Sequence, residues 1–297
     1  MSRPFDHHHQ PVFYLNGWRA SDGRVVRFWR PNGREVVASP VAPKNTGYER
    51  FLYSLDDYPE DQRQVIEEKF FAPVVDEPVS CARKVLIERD QTKLTVERRN
   101  AWTRFIMAAR LRSPEMVEGI QKAARRQLEE NLLRDPHEYE AVRRDDDPPT
   151  LLEFAEQRIK PRLDNSGKFV LPDLVQNQRI GDAIIGMKWA TFDLAAAKHE
   201  LLTSDQPFVM AGGLGDLRCV IAFPLNPRFA FIATKDREME KYVLSLGVDK
   251  IVKALNESVT CQAGQAVYGR TKDHLRFVER RLRRPSEPFS GARLFQK

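Results

Sequence analysis

The spacing of apolar and polar positions changes twice along the chain. Over roughly the first 55 residues, apolar runs are short and separated by turn-forming groups. Val12-Phe13-Tyr14-Leu15 closes on Asn16-Gly17, and Arg24-Val25-Val26-Arg27-Phe28-Trp29-Arg30 meets Pro31-Asn32-Gly33 before Glu35-Val36-Val37-Ala38. This pattern predicts a β-rich start with a hairpin across Asn32-Gly33. Arg24, Arg27, Arg30 and Arg34 would form the outer, solvated face of that hairpin.

From about residue 60 to 133 the period becomes helical. Trp102, Phe105, Ile106 and Ala109 recur at helical spacing, as do Val117, Ile120, Ala124 and Leu128. Between these groups lies Ser113-Pro114, a cap followed by proline at the first helical position, which predicts one helix ending and another starting there. Arg143-Arg144-Asp145-Asp146-Asp147-Pro148-Pro149 is charged and proline-ended, so 143–149 is expected to be a surface loop or hinge. Helices are expected again over 151–159 and 174–190.

Beyond Lys198 the runs shorten. Phe208-Val209-Met210, Cys219 to Phe223 and Phe229 to Ala233 are separated by Gly212-Gly213-Leu214-Gly215-Asp216 and Pro224-Leu225-Asn226-Pro227. These are strands joined by turns. The glycine-rich turn lacks the Lys-Ser/Thr of a phosphate loop, and strand patterns flank it on both sides. Helices are expected over 235–254 and 263–284. The order is that of an α+β fold: an N-terminal β-hairpin region, a central helical region, then antiparallel strands followed by helices. One domain over 1–269 and a basic helix with its tail over 270–297 is the expected organisation.

Charge sharpens that last boundary. The chain has 297 residues, with 48 Lys+Arg against 42 Asp+Glu and a net charge of +6. Residues 270–297 hold nine basic and three acidic side chains, which is the whole excess, so the rest is formally balanced. A polyanion gripped over the whole surface is disfavoured; a local basic element is not. Arg276, Arg280, Arg281, Arg283 and Arg284 are the expected nucleic-acid contacts, on a helix whose apolar side carries Leu275, Phe277, Val278 and Leu282. An acidic protein patch or an acidic surface of the chain itself would suit the same arginines. Removal of residues from about 280 onward is expected to abolish salt-sensitive binding and leave the body folded. Cys81, Cys219 and Cys261 are far apart and form no C-x-x-C pair, which points to reduced thiols in a cytoplasmic protein. No apolar run reaches membrane-span length and no signal peptide is evident.

Several segments suggest chemistry. His7-His8-His9 is followed by Gln10-Pro11 and an apolar anchor; His8 is either a hydrogen-bonded lead-in or a metal or acid–base group. Thr203-Ser204-Asp205-Gln206-Pro207 is either an Asx-type turn or a rigid carboxylate at a sheet end. Glu67-Glu68 and Asp76-Glu77, around Pro73, read as a solvated charged face. No common serine-hydrolase, zincin or zinc-deaminase signature occurs.

Taken in order, these segments resemble the bacterial DUF4238 family, a domain of unknown function. The similarity rests on His7-His8-His9-Gln10-Pro11-Val12-Phe13-Tyr14-Leu15, on Phe105-Ile106 with Arg112-Ser113-Pro114, on Thr203 to Pro207, on Pro224 to Pro227, and on Leu255-Asn256 with Val267-Tyr268-Gly269. Ala109 stands where the family tends to carry glutamine. The resemblance implies a residue set from four distant segments: His8, Arg112, Asp205 and Asn256. A metal-dependent nuclease of a defence or toxin-like system could be built from these, with His8 and Asp205 holding Mg or Mn and Arg112 stabilising charge. Equally, the four could be hydrogen-bonded linchpins of a non-catalytic interaction module that docks an acidic partner through its basic helix.

Overall fold

The computed structural model describes residues 5–134 and 136–284. Residues 1–4, Asp135 and 285–297, which include the end of the basic tail, lie outside the described residues. The strands are β1 (Asp6–His8), β2 (Val25–Trp29), β3 (Val37–Val41), β4 (Tyr48–Arg50), β5 (Lys188–Asp193), β6 (Thr203–Ser204), β7 (Val209–Ala211), β8 (Val220–Pro224), β9 (Phe229–Thr234) and β10 (Ala266–Gly269). They form an antiparallel pair β1-β4 and two four-stranded antiparallel sheets, β3-β2-β10-β6 and β5-β9-β8-β7. The helices are α1 (Val12–Leu15), α2 (Glu60–Arg63), α3 (Glu77–Glu88), α4 (Val96–Leu111), α5 (Pro114–Leu133), α6 (Pro136–Val142), α7 (Leu151–Asp164), α8 (Ser166–Val175), α9 (Gln178–Ile185), α10 (Arg237–Ser245), α11 (Val248–Gln262) and α12 (Leu275–Glu279). The fold is α+β. Among the described residues no helix is long and apolar enough to cross a membrane.

Strands β8 and β9 explain the layering. Their runs are apolar at every position but Thr234, the last of β9, the pattern of a strand buried on both faces. Ile221, Phe223, Phe231 and Ala233 enter one core with Trp102, Phe105 and Ile106 of α4. Val220, Ala222, Ala230 and Ile232 enter a second core with Ile251, Val252, Leu255 and Val259 of α11. The sheet is therefore packed between two helical layers. The helix start at Ser113 forms as the sequence indicates, its Oγ accepting from the Met116 amide at 3.4 Å. The hairpin also forms, with Trp29 opposite Val37 across a longer loop than a two-residue turn. The break at 143–149 separates α6 from α7.

Three expectations fail for local reasons. Val12–Leu15 is a helical turn, because the Pro11 carbonyl accepts from the amides of Tyr14 (3.0 Å) and Leu15 (3.1 Å). The helix expected over 174–190 is divided: α8 ends at Val175, the Asn177 side chain caps α9 through the Ile180 amide (3.1 Å), and β5 follows Gly186. The long basic helix expected over 263–284 is also absent. Ala266–Gly269 instead forms β10 between β2 and β6, and a 3-10 turn over Lys272–His274 and the five-residue α12 follow. Arg30 stops α12 by donating to the carbonyls of Glu279 (2.8 Å) and Leu282 (3.1 Å).

Candidate functional site

Backbone alternation sorts the three histidines. In β1, His7 lies opposite Glu49 and His8 opposite Tyr48, so their side chains leave on different faces. His7 is buried against Tyr53, the rings stacked at 5.4 Å. The Tyr53 amide donates to its Nδ1 (2.9 Å), which leaves the proton on Nε2, bonded to Gln64 Oε1 at 2.6 Å. His7 is thus a fully satisfied neutral histidine, and burial holds its pKa below the usual value.

His8, His9 and Gln10 differ. His8 Nε2, both ring nitrogens of His9 and both amide atoms of Gln10 are buried with no hydrogen-bond partner. Arg27 Nε, Arg112 Nε and Glu67 Oε2 share that state. Among the described residues, these are eight of the thirteen such side-chain atoms, so the deficit is concentrated rather than scattered. An unmade bond of this kind costs about 1–3 kcal/mol, and native chains keep few of them.

The backbone crossing over Gln10 allows the approach. Gly47 has φ +68°, and a Cβ there would lie 2.7 Å from Gln10 Cβ, so glycine is required on both counts. Its carbonyl accepts from the Gln10 amide at 2.9 Å.

Arg112 is the electrostatic hub. Its side chain is 1% exposed and donates twice to Asp76 Oδ1, from Nη2 at 2.6 Å and from Nη1 at 3.0 Å. Burial would lower its pKa, but Asp76 first, then Tyr53 and Glu67, raise it, so the charge is secure. His9 is held down to about 3, by burial first and then by Arg112, His8 and Arg27; Gln265 pulls weakly the other way. His8 is lowered too, mainly by burial, against its hydrogen bonding to the Lys44 backbone carbonyl. Burial drives Glu67 up to about 7, with Arg112 opposing and Asp76 and Glu68 adding. A neutral imidazole and a carboxyl that titrates near neutrality thus share one cationic neighbour, an arrangement suited to proton transfer.

Arg27 links this cluster to an open cleft of about 480 Å³, which it walls together with Trp29, Tyr48, Glu49 and Gln265 among others; His8, His9, Gln10, Glu67 and Arg112 lie behind that wall rather than in it. A second lobe of about 260 Å³ shares Arg27, Tyr48, Glu49 and Gln265 and adds Arg50 and Tyr268. The His8 ring sits 5.5 Å from that of Tyr48, and the Arg27 guanidinium 4.7 Å from the Trp29 ring.

Of the four residues implied by the resemblance, the structure brings His8 and Arg112 into electrostatic contact. Asp205 is buried, and its two oxygens accept from the amides of Gly264, Gln265 and Ala266, each at 3.1 Å. It clamps the turn that leads into β10 and with it Gln265, which lines the cleft. Asn256 accepts from the Leu202 amide (2.8 Å) and donates to the Glu200 carbonyl (2.9 Å), bracing the chain before β6. Among the described residues no group of three or more His, Cys, Asp or Glu converges as a metal site, and Asp205, expected with His8 to hold Mg or Mn, has both oxygens engaged by backbone amides.

The basic segment is likewise not an outward stripe. Arg281 pairs with Glu257 at 2.6 Å and stacks 4.1 Å from Phe277, while Arg283 pairs with Glu115 and donates to the Ala263 carbonyl at 3.0 Å. Leu282 is 4% exposed. Removing residues from 280 onward would therefore strip body contacts. Arg276 and Arg280 remain exposed, and Arg284 is exposed with an interaction of its own.

Sequence reasoning missed Glu67, Asp76, His9, Gln10 and Arg27. For the acidic pair the reason is geometric. Glu67 and Asp76 are nine positions apart, on opposite faces of an α-helix at about 100° per residue. The segment Glu67–Asp76 is instead a π-helix containing Pro73. With about 4.4 residues per turn, nine positions make close to two turns and return both carboxylates to one face.

Comparison with curated proteins and with solved structures finds no match. The family profile described as "Protein of unknown function (DUF4238)" matches residues 6–273, which include His8, His9, Gln10, Arg27, Glu67 and Arg112. The chain belongs to the DUF4238 family.

Proposed function

We propose that the protein is a hydrolase of phosphodiesters, with nucleic acid as its substrate class and side chains rather than a bound ion moving the protons. The observation that carries this reading is the cluster of buried, unpartnered polar atoms on His8, His9, Gln10, Arg27, Glu67 and Arg112, of which Arg27 also lines an open cleft. A substrate phosphate in the cleft would meet Arg27 and Arg50, against one acidic neighbour, Glu49. Neutral His8, with Nε2 unpartnered, serves as general base. Glu67, protonated up to about pH 7, serves as general acid, and Arg112 offsets the developing negative charge.

The test is cleavage of single- and double-stranded RNA and DNA oligonucleotides by wild type and His8→Ala, with and without a chelator. Wild type should cleave in both conditions, and His8→Ala should lose about 10²- to 10⁴-fold. No cleavage by wild type, unchanged cleavage by His8→Ala, or abolition by the chelator would each overturn the reading. The interaction-module alternative keeps one supporting observation, the exposed Arg276 and Arg280. It gains if the oligonucleotides are neither cut nor bound and an acidic peptide is.

A further inference from the structure

We propose that a second cleft, sharing no lining residue with the site above, binds a planar aromatic ring carrying a phosphate, of the kind found in a nucleoside monophosphate. The cleft has a volume of about 400 Å³ and lies between the Lys198–His199 loop, α11 and the segment through α12. That volume is within the usual range for small-molecule sites, roughly 300–1,000 Å³.

One wall is aromatic. The His274 ring stands edge-on to His199 at 5.9 Å and to Phe277 at 6.5 Å. Burial first, with His199 adding and Asp273 opposing, keeps His274 below the ordinary histidine range. At neutral pH it therefore offers an uncharged ring for stacking. Val252 contributes apolar surface beside it.

The charged groups divide into spent and available. Asp249 accepts from the Lys198 amide at 2.7 Å, and Asp273 accepts from the Thr271 hydroxyl at 2.8 Å. Arg281 is committed to Glu257, and Asn256 to backbone. Lys198 and Lys253 are exposed and form no ion pair among the described residues, although Lys253 follows Asp249 by one helical turn. An aromatic wall beside two uncommitted ammonium groups suits a ring and a phosphate bound together better than either alone.

Adenosine 5′-monophosphate, titrated calorimetrically into the full chain, tests this, with adenosine and inorganic phosphate as separate probes. The nucleotide should bind saturably, and each fragment about tenfold more weakly or worse. Lys253→Glu, an exposed change that leaves the fold intact, and Phe277→Ala should each weaken the nucleotide by about tenfold or more, while His8→Ala should leave it unchanged. Absence of saturable binding, equal binding of phosphate alone, or binding undiminished in Lys253→Glu would overturn the proposal. Binding lost in His8→Ala but kept in Lys253→Glu would belong to the first cleft and overturn it equally. Cleavage of oligonucleotides is read separately, so failure of either reading is seen on its own.

Discussion

Arg112→Ala should destabilise the folded chain by about 3–5 kcal/mol, the loss seen when one partner of a buried pair is removed. The side chain is 1% exposed, its guanidinium is bidentate toward Asp76, and Phe71 and Phe105 lie 5.3 and 5.8 Å from it. Removing it leaves Asp76 and Glu67 without their cation in a site whose burial already raises both carboxyls. The measurement is urea unfolding of Arg112→Ala, Asp76→Asn and the double variant. The double variant should recover part of the loss, because the carboxylate at 76 is gone as well. A loss below about 1 kcal/mol, the range of an exposed pair, would show that Arg112 is not the hub.

The second large effect is a pair of opposed titrations. His9 has a folded pKa of about 3 against an ordinary value of 6.5. Its neutral form is the native one, so the stability it contributes is whole above pH 6.5 and is lost as pH falls toward 3. The full loss is on the order of 5 kcal/mol. His7 and His8, also lowered by burial, act in the same direction. Glu67 is raised from 4.5 to about 7, so its contribution is whole below pH 4.5 and is lost as pH rises through 7, roughly 3 kcal/mol in all.

Between pH 4.5 and 6.5 the Glu67 and His9 slopes oppose each other, each close to 1.4 kcal/mol per unit. Variants separate them. From pH 6.5 to 5.5, Glu67→Gln should lose about 1 kcal/mol or more relative to wild type, and His9→Asn should gain by a similar amount. Denaturant unfolding at the two pH values reads both. Parallel pH curves for all three proteins would mean that neither group is held in the state described.

The sequence carries the fold better than it carries the site. Strands with alternating or wholly apolar runs, such as Cys219 to Phe223, and helices with a cap and proline, such as Ser113-Pro114, declare themselves locally. The tail does not. Val267-Tyr268 lies between glycines and is drawn into the sheet by pairing with Phe28 and Arg27, over two hundred residues earlier. Arginines at helical spacing looked outward, yet Arg281 and Arg283 find acidic partners on α11 and α5.

The site shows the same division. His8 and Arg112 were recognisable from ordered motifs, whereas Asp205 and Asn256, equally conspicuous, hold backbone. Gln10 and His9 looked like a lead-in because their burial depends on the crossing at Gly47. Glu67 and Asp76 looked solvated because an α-helical wheel separates them, and only the wider turn of the π-helix brings them together.

The most direct measurement of the central claim is the pH dependence of kcat/KM for oligonucleotide cleavage by wild type and Glu67→Gln. A base that must be neutral, His8, and an acid that must stay protonated up to about pH 7, Glu67, predict a bell-shaped profile whose rising limb lies below the ordinary histidine range and whose falling limb lies near pH 7. Glu67→Gln should lose the falling limb and about 100-fold in rate. A wild-type profile without a falling limb near pH 7, or one that Glu67→Gln leaves unchanged, would contradict the assignment.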